Sequence, residues 1–237
     1  MVQQMHFVII SLFPKIINDS LFCSLARRAL REEKWSYTLV DLKDFGIGIH
    51  KKVDDEPYGG GNGLVIRPDV LGACIDHTIA TYKCEKIFYF SPRGALLNQH
   101  KVISIVESDN NVLLICGRFE GIDQRVIEYY KIEEISIGDY ILSGGELAAL
   151  VLMDACIRLL PGVVANEDTL RHESFSQAND GMLEYPLYTR PATWNNLSVP
   201  DVLKSGNHQL INEWHKQESY NVTRQIRPDI SAQRRHC

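Results

Sequence analysis

Apolar residues in the first two thirds of the chain fall into short runs separated by amphipathic stretches. Residues 6–10, 37–42, 86–90, 112–116 and 134–137 have the length and the β-branched or aromatic content of buried strands. Between them, residues 16–31, 69–81, 98–107 and 123–130 space their apolar positions three and four apart, which predicts helices. In the first of these helices Leu21, Leu25 and Ala29 share one face. A longer apolar stretch, 147–160, stops at Pro161-Gly162. Apolar strands alternating with helices predict a parallel sheet covered on both faces. Residues 43–63 break the pattern. They hold Asp54-Asp-Glu-Pro-Tyr-Gly-Gly-Gly-Asn-Gly63, a long turn-rich loop of a length usually functional or disordered.

The unusual residues collect at one place in this pattern. Ser91-Pro-Arg-Gly94, Gly117-Arg-Phe-Glu-Gly121 and the stretch from Ser136 to Glu146 each follow the carboxyl end of a predicted strand. Ligands of open parallel sheets bind outside those ends, so three irregular loops on one rim predict one site. Gly138, Gly144 and Gly145 let the backbone turn tightly and lie against a ligand. Tyr140 and Leu142 between them add flat and apolar surface, which suits a nucleoside-like molecule.

The composition, 45% hydrophobic and 23% charged, is that of a globular protein. A net charge of −5 argues against blanket coating of nucleic acid but allows a local basic surface. The six cysteines form no Cys-x-x-Cys pair, so neither a disulfide framework nor a zinc knuckle is expected. No basic leader precedes the apolar start, and Asp154 and Arg158 interrupt the most apolar helix. No segment has the roughly 20 apolar residues of a membrane span, and a cytoplasmic location is expected. Dinucleotide, Walker, zincin and nucleophile-elbow motifs are absent. The histidines show no ligand spacing, so no histidine metal site is expected.

Beyond Leu160 the character changes. Residues 163–180 are polar and aperiodic, an expected linker, and 181–237 carry Pro186, Pro191 and Pro200 before a helical run at 207–218. Trp214 on that run is expected in the core of a small helical domain. The tail has Arg224, Arg227, Arg234 and Arg235 against Asp229 alone, a solvated terminus or an RNA-contacting patch. In the preceding helix Asp154 and Arg158 are spaced i, i+4 and share a face, and a guanidinium on so apolar a helix needs partners.

Taken together the motifs resemble one family. Val53-Asp-Asp-Glu-Pro-Tyr-Gly-Gly-Gly61, Ser91-Pro-Arg-Gly94, Cys116-Gly-Arg-Phe-Glu-Gly-Ile-Asp123, Ile135-Ser-Ile-Gly-Asp-Tyr-Ile-Leu-Ser-Gly-Gly-Glu-Leu147, Arg158-Leu-Leu-Pro-Gly162, Tyr188-Thr-Arg-Pro191 and Leu203-Lys-Ser-Gly-Asn-His208 occur in order, nearly end to end. They resemble the bacterial tRNA (guanine-N1)-methyltransferases of the SPOUT superfamily. The resemblance implies an α/β domain at 1–162 whose C-terminal part is threaded as a trefoil knot, a linker at 163–180 carrying the catalytic carboxylate, and a small helical tRNA-binding domain at 181–237. It also implies an obligate homodimer with S-adenosylmethionine bent into the knot. By motif match the ligand contacts are Tyr89, Phe90, Ser91, Gly117, Ile137, Gly138, Asp139, Tyr140, Ile141 and Leu142, with Gly144 and Gly145.

The implied reaction methylates N1 of guanine-37 in tRNA when guanine-36 precedes it. Guanine N1 carries a proton, so a general base is needed, together with a donor for charge building on O6. The resemblance puts the base on Glu173 and the O6 contact on Arg158. Further substrate contacts fall on Asp54, Gly63, Glu120, Ser174 and His208. Aspartate is usual in the family where this chain has Glu173. Arg93 and Phe119 stand where glutamine and tyrosine are common, and there is a short insertion around 177–180. Magnesium has been linked to catalysis in this family. The rival readings are a SPOUT enzyme acting on another RNA position, and an RNA-binding protein that senses the ligand without turnover.

Overall fold

The computed structural model describes residues 4–20, 24–108 and 111–233. The chain divides into two compact units, Met1–Ala165 and Asn166–Cys237. In the first, β1 (Met5–Ser11), α1 (Pro14–Ser20), α2 (Ser24–Arg31) and β2 (Trp35–Asp41) are followed by two short strands, β3 (Asp54–Asp55) and β4 (Val65–Ile66). Then come α3 (Pro68–Tyr82), β5 (Lys86–Leu96), α4 (Gln99–Ser108), β6 (Asn111–Ile115), α5 (Gln124–Tyr130), β7 (Glu133–Ser136) and α6 (Glu146–Ile157). Five strands form one sheet in the order β2-β1-β6-β5-β7, and every pairing in it is parallel.

Alternation along β1 shows how the sheet is buried. Phe7 and Ile9 join one apolar layer with Trp35, Phe88, Leu114 and the inner face of α6. Val8 and Ile10 join the other, with Leu113, Ile115 and the α3 residues Val70, Leu71, Cys74 and Ile75. Each such side chain contributes about 1.5–3 kcal/mol when fully withdrawn from water. Helix boundaries follow local chemistry. Pro68 opens α3, and the Asp123 carboxylate accepts from the Arg125 amide to cap α5.

The structure departs from the sequence pattern in three places. Residues 16–31 form two helices rather than one, and Leu25 is exposed while Ala29 is buried. Leu21 and Cys23 lie outside the described residues, as do Arg234, Arg235 and Cys237 of the basic tail. Strand β5 does not end at residue 90. Phe90 and Ala95 both pair with Ile135, so residues 91–94 loop out of a continuing strand. Gly94 permits this: a Cβ there would stand 2.5 Å from the Ile135 nitrogen. Finally, the loop at 43–63 is largely tied down. Ile47 and Lys52 pair in a tight hairpin, β3 pairs with β4, and Arg67 forks onto Asp69 and reaches Asp55 at 2.9 Å. Only the exposed stretch around Gly59, Gly60 and Gly61, all with positive φ, is left without strand pairing.

Cys74, Cys84, Cys116 and Cys156 are buried free thiols. Among the described residues, no helix is long and apolar enough to cross a membrane.

The second unit begins with α7 (Glu167–His172), so much of the stretch expected as a linker is packed with this unit. The chain from 173 to 183 is closed by hydrogen bonds from Gly181 to Ser176 and from Phe175 to Met182. The hairpin β8 (Thr193–Trp194) and β9 (Leu197–Ser198) turns through Asn195 and Asn196, both left-handed. Next come α8 (Asp201–Lys204), α9 (His208–Ile226) and α10 (Pro228–Gln233). Helix α9 continues past the expected stop at 218, because Ser219 and Thr223 form a small buried stripe and Leu183 donates to Thr223 Oγ1. Trp214 is half-buried against Tyr185 and Tyr188, and His215 stacks on Tyr185 at 3.5 Å.

Candidate functional site

The site is built where β5, β6 and β7 release their chains on one rim of the sheet. Residues 89–92, 117–121, 135–138 and 140–145 line a cavity of about 260 Å³. Tyr89 is packed into its wall by two glycines. A Cβ at Gly117 would stand 2.7 Å from the Tyr89 ring, and one at Gly121 2.9 Å from its hydroxyl. Burial, and then the charge of Glu134, raise the Tyr89 phenol above its ordinary range.

The glycine-rich stretch after β7 turns sharply. Gly138 has φ +149°, and the Tyr140 ring lies where a Cβ would project. The Tyr140 amide donates to the Gly138 carbonyl at 3.0 Å, and its hydroxyl donates to the Ile137 carbonyl. The Gly145 amide donates to the Gly117 carbonyl at 3.0 Å. A Cβ on Gly145 would approach the Cys116 Cα to 2.8 Å. Backbone thus meets backbone across the rim, leaving a narrow cleft with apolar flanks and exposed peptide groups, chemistry suited to a nucleoside.

Of the expected ligand contacts, Tyr89, Phe90, Ser91, Gly117, Ile137, Gly138, Tyr140, Ile141, Leu142, Gly144 and Gly145 line this one cavity. Asp139 does not: the tight turn between Gly138 and Tyr140 leaves it exposed. Glu120 lines the cavity, and Gly63 packs against it closely, since a Cβ there would stand 2.6 Å from Glu120 Cγ. Asp54 lines a second, open concavity of about 780 Å³ with Lys43, Ile49, Lys51 and Lys52, and Phe119 borders both. Arg158 caps α6, and its amide donates to the Asp154 carbonyl at 3.2 Å. In the second unit, Glu173 caps α7, the Ser174 hydroxyl accepts from the Glu184 amide, and His208 begins α9 behind the Asn207 cap.

The pairing of Arg118 with Glu146 had no signal in residue spacing. Glu146 is 1% exposed. Its carboxylate takes Arg118 Nη2 at 3.0 Å and Nε at 3.3 Å, and the Ser11 hydroxyl at 2.7 Å. Arg118 Nη1 donates to the Ser143 carbonyl at 3.0 Å, and its guanidinium lies 4.6 Å over the Phe13 ring. A charge at the start of an apolar helix was the one available hint. Burial, and then the Glu146 charge, push the neighbouring Cys116 thiol well up.

The profile of the family described as tRNA (Guanine-1)-methyltransferase TrmD matches residues 5–233. A protein of Rickettsia rickettsii (strain Sheila Smith) named tRNA (guanine-N(1)-)-methyltransferase is 49% identical over 228 residues, which are 95% of this chain and 97% of that one. Proteins of the same name from Ehrlichia ruminantium (strain Gardel) and Rickettsia prowazekii (strain Madrid E) are 48% and 46% identical, over 94% and 95% of this chain and 94% and 97% of theirs. With the profile spanning nearly the whole chain and relatives this similar over nearly all of their length, the chain belongs to the tRNA (guanine-1)-methyltransferase family.

Proposed function

We propose that the protein methylates N1 of guanine-37 in tRNAs with guanine at position 36, using S-adenosylmethionine held in the cavity at the ends of β5, β6 and β7. The observation that carries this reading is the glycine-built cleft. At Gly117, Gly138 and Gly145 a side chain would collide with Tyr89, Tyr140 and the Cys116 backbone, so glycine lets these walls pack closely enough to shape a cleft bordered by backbone. When bound, S-adenosylmethionine supplies a sulfonium-activated methyl group, so the protein need not create an electrophile.

What remains for the residues is proton handling and placement. Glu173 removes the proton from guanine N1 as the new N–C bond forms and the methyl's bond to sulfur breaks, which leaves N1 neutral in the product and the sulfur a neutral thioether. Arg158 donates to O6, where negative charge builds once that proton departs. The walls around Tyr89 and Leu142 orient the ligand so that nucleophile and methyl lie in line. Glu120, Gly63 and Asp54 contact the target nucleotide and its neighbour, with Ser174 and His208 contributing from the second unit. Among the described residues no cluster of three or more His, Cys, Asp or Glu could hold a metal ion.

The assembly belongs to the same reading. Leu147 and Val151, one helical turn apart on α6, are 52% and 48% exposed although the opposite face of α6 is wholly buried. A second copy covering that stripe accounts for it. A trefoil knot is supported by the path of the chain, which leaves β7, recrosses the β6 rim at Gly117 and packs α6 with α1, α2 and α4. In the second unit, exposed Trp194, Tyr188 and Arg190 suit contact with RNA through stacking and charge. A tRNA-processing enzyme of this kind works in the cytoplasm.

The test is radiolabelled methyl transfer to a tRNA transcript carrying guanine-36 and guanine-37. Label is expected in that transcript and lost when guanine-37 is replaced. Label that persists after replacement refutes the assigned position.

A further inference from the structure

We infer that Glu146 is a positioning residue for the methyl-donor site: through Arg118 it fixes the backbone of the 138–145 loop and so sets ligand affinity rather than the chemical step. This rests on the proposed S-adenosylmethionine site. Three elements meet at the Glu146 carboxylate, which does not line the cavity itself but holds Arg118, which does. Ser11, at the end of β1, donates to Oε1 at 2.7 Å and in turn accepts from the Phe13 amide at 2.8 Å. Arg118, from the loop after β6, grips both carboxylate oxygens. Arg118 then spends its remaining nitrogen, Nη1, on the Ser143 carbonyl inside the glycine-rich loop. The loop between Gly138 and Gly145 has no strand or helix of its own, and three of its residues are exposed apolar side chains, Tyr140, Ile141 and Leu142. Gly138 is tied to the Ser136 hydroxyl and Tyr140 to the Ile137 carbonyl at the loop's start, the Gly145 amide to Gly117 at its end, and this guanidinium holds Ser143 between them.

The charge arithmetic points the same way. A carboxylate withdrawn this fully from water is tolerated only because a fork-shaped cation and a hydroxyl satisfy it. The pair is weak evidence for added stability, since two hydrophobic residues could fill the same volume. Its value lies in geometry. The planar guanidinium cannot pivot away from Ser143 while both its Nε and Nη2 are held on Glu146 and its face lies on Phe13. Freed from Glu146, Arg118 would turn to solvent through the cavity mouth it lines, taking the Ser143 hold with it.

The experiment compares the full chain with Glu146→Gln, Arg118→Lys, Ser11→Ala and, as a stability control, Leu71→Ala in the opposite core layer, using calorimetric S-adenosylmethionine binding and steady-state methyl transfer. Glu146→Gln is expected to weaken binding and raise the S-adenosylmethionine KM about 10-fold or more while kcat stays within about 3-fold. Arg118→Lys, which keeps the charge but not the fork, is expected to follow it, and Ser11→Ala to show a smaller loss of the same kind. Leu71→Ala is expected to lower the melting temperature with binding unchanged. Should Glu146→Gln fail to fold, Ser11→Ala and Arg118→Lys carry the same KM-against-kcat comparison. Unchanged affinity in the variants, or a fall in kcat at constant KM, overturns the inference. Absence of binding by the unaltered protein overturns the site assignment instead, so the two failures are told apart.

Discussion

The Gly145 amide and the Gly117 carbonyl meet at 3.0 Å, joining the first turn of α6 to the loop that leaves β6. The contact is possible only because neither residue has a side chain in the way: a Gly145 Cβ would press on the Cys116 backbone, which cannot yield. Gly145→Ala is therefore expected to cost about 1–3 kcal/mol in stability, as overpacking does, and to weaken S-adenosylmethionine binding at least tenfold. Chemical denaturation and calorimetry measure the two effects. Gly72→Ala is the counterpart. A Cβ there meets only the Tyr130 side chain, the hydroxyl at 3.4 Å and a ring carbon at 4.0 Å, and in a helix interior the change should stabilise by about 0.5–1 kcal/mol.

Glu173 carries the proton chemistry in the proposed reaction. Glu173→Ala is expected to lower kcat by about 100-fold or more with S-adenosylmethionine affinity unchanged, the range a general base supplies. Glu173→Asp keeps the carboxylate one methylene shorter and should retain a large part of the rate. Turnover unaffected by the alanine change would remove Glu173 from the mechanism.

The apolar stripe on α6 makes a prediction about assembly. Changing Leu147 and Val151 together to aspartate is expected to convert a dimer into monomers at micromolar concentration, read by light scattering after size exclusion. The fold itself should be affected little, since both positions are exposed in a single chain. A monomeric unaltered protein would count against the dimer.

Buried thiols set the behaviour in alkali. Burial raises Cys74 and Cys156 from 9.0 to about 12 and Cys84 to about 11. The folded protein keeps these protons while the unfolded chain gives them up from pH 9 onward. Stability is thus full below pH 9 and falls as pH rises toward 12, by about 1.4 kcal/mol per pH unit for each thiol. Denaturation midpoints between pH 8 and 11 should show this slope, and Cys74→Ala should make it shallower.

Much of the architecture was legible in the chain. The strands are apolar at consecutive positions because both faces of the sheet are covered, and that pattern needs no knowledge of neighbours. The rim loops announced themselves because Gly117 and Gly138 break periodicity just after β6 and β7 stop, and Ser91 where the pairing of β5 is interrupted. Less was legible wherever a residue's environment comes from a distant segment. The continuation of β5 past residue 94 depends on the β7 backbone lying beside Gly94. The length of α9 depends on Leu183 reaching Thr223. The exclusion of Asp139 depends on how tightly the chain turns between Gly138 and Tyr140.

By itself, then, the order of residues determined the class of fold, the rim that carries the candidate site, and the family, because hydrophobic periodicity and motif succession are local properties of the chain. Only the tertiary structure decided which charges are partners. Ser11, Arg118 and Glu146 are far apart in sequence, and nothing in their spacing requires them to meet. They meet because a parallel sheet brings its strand ends to one edge, where a buried carboxylate must find a cation.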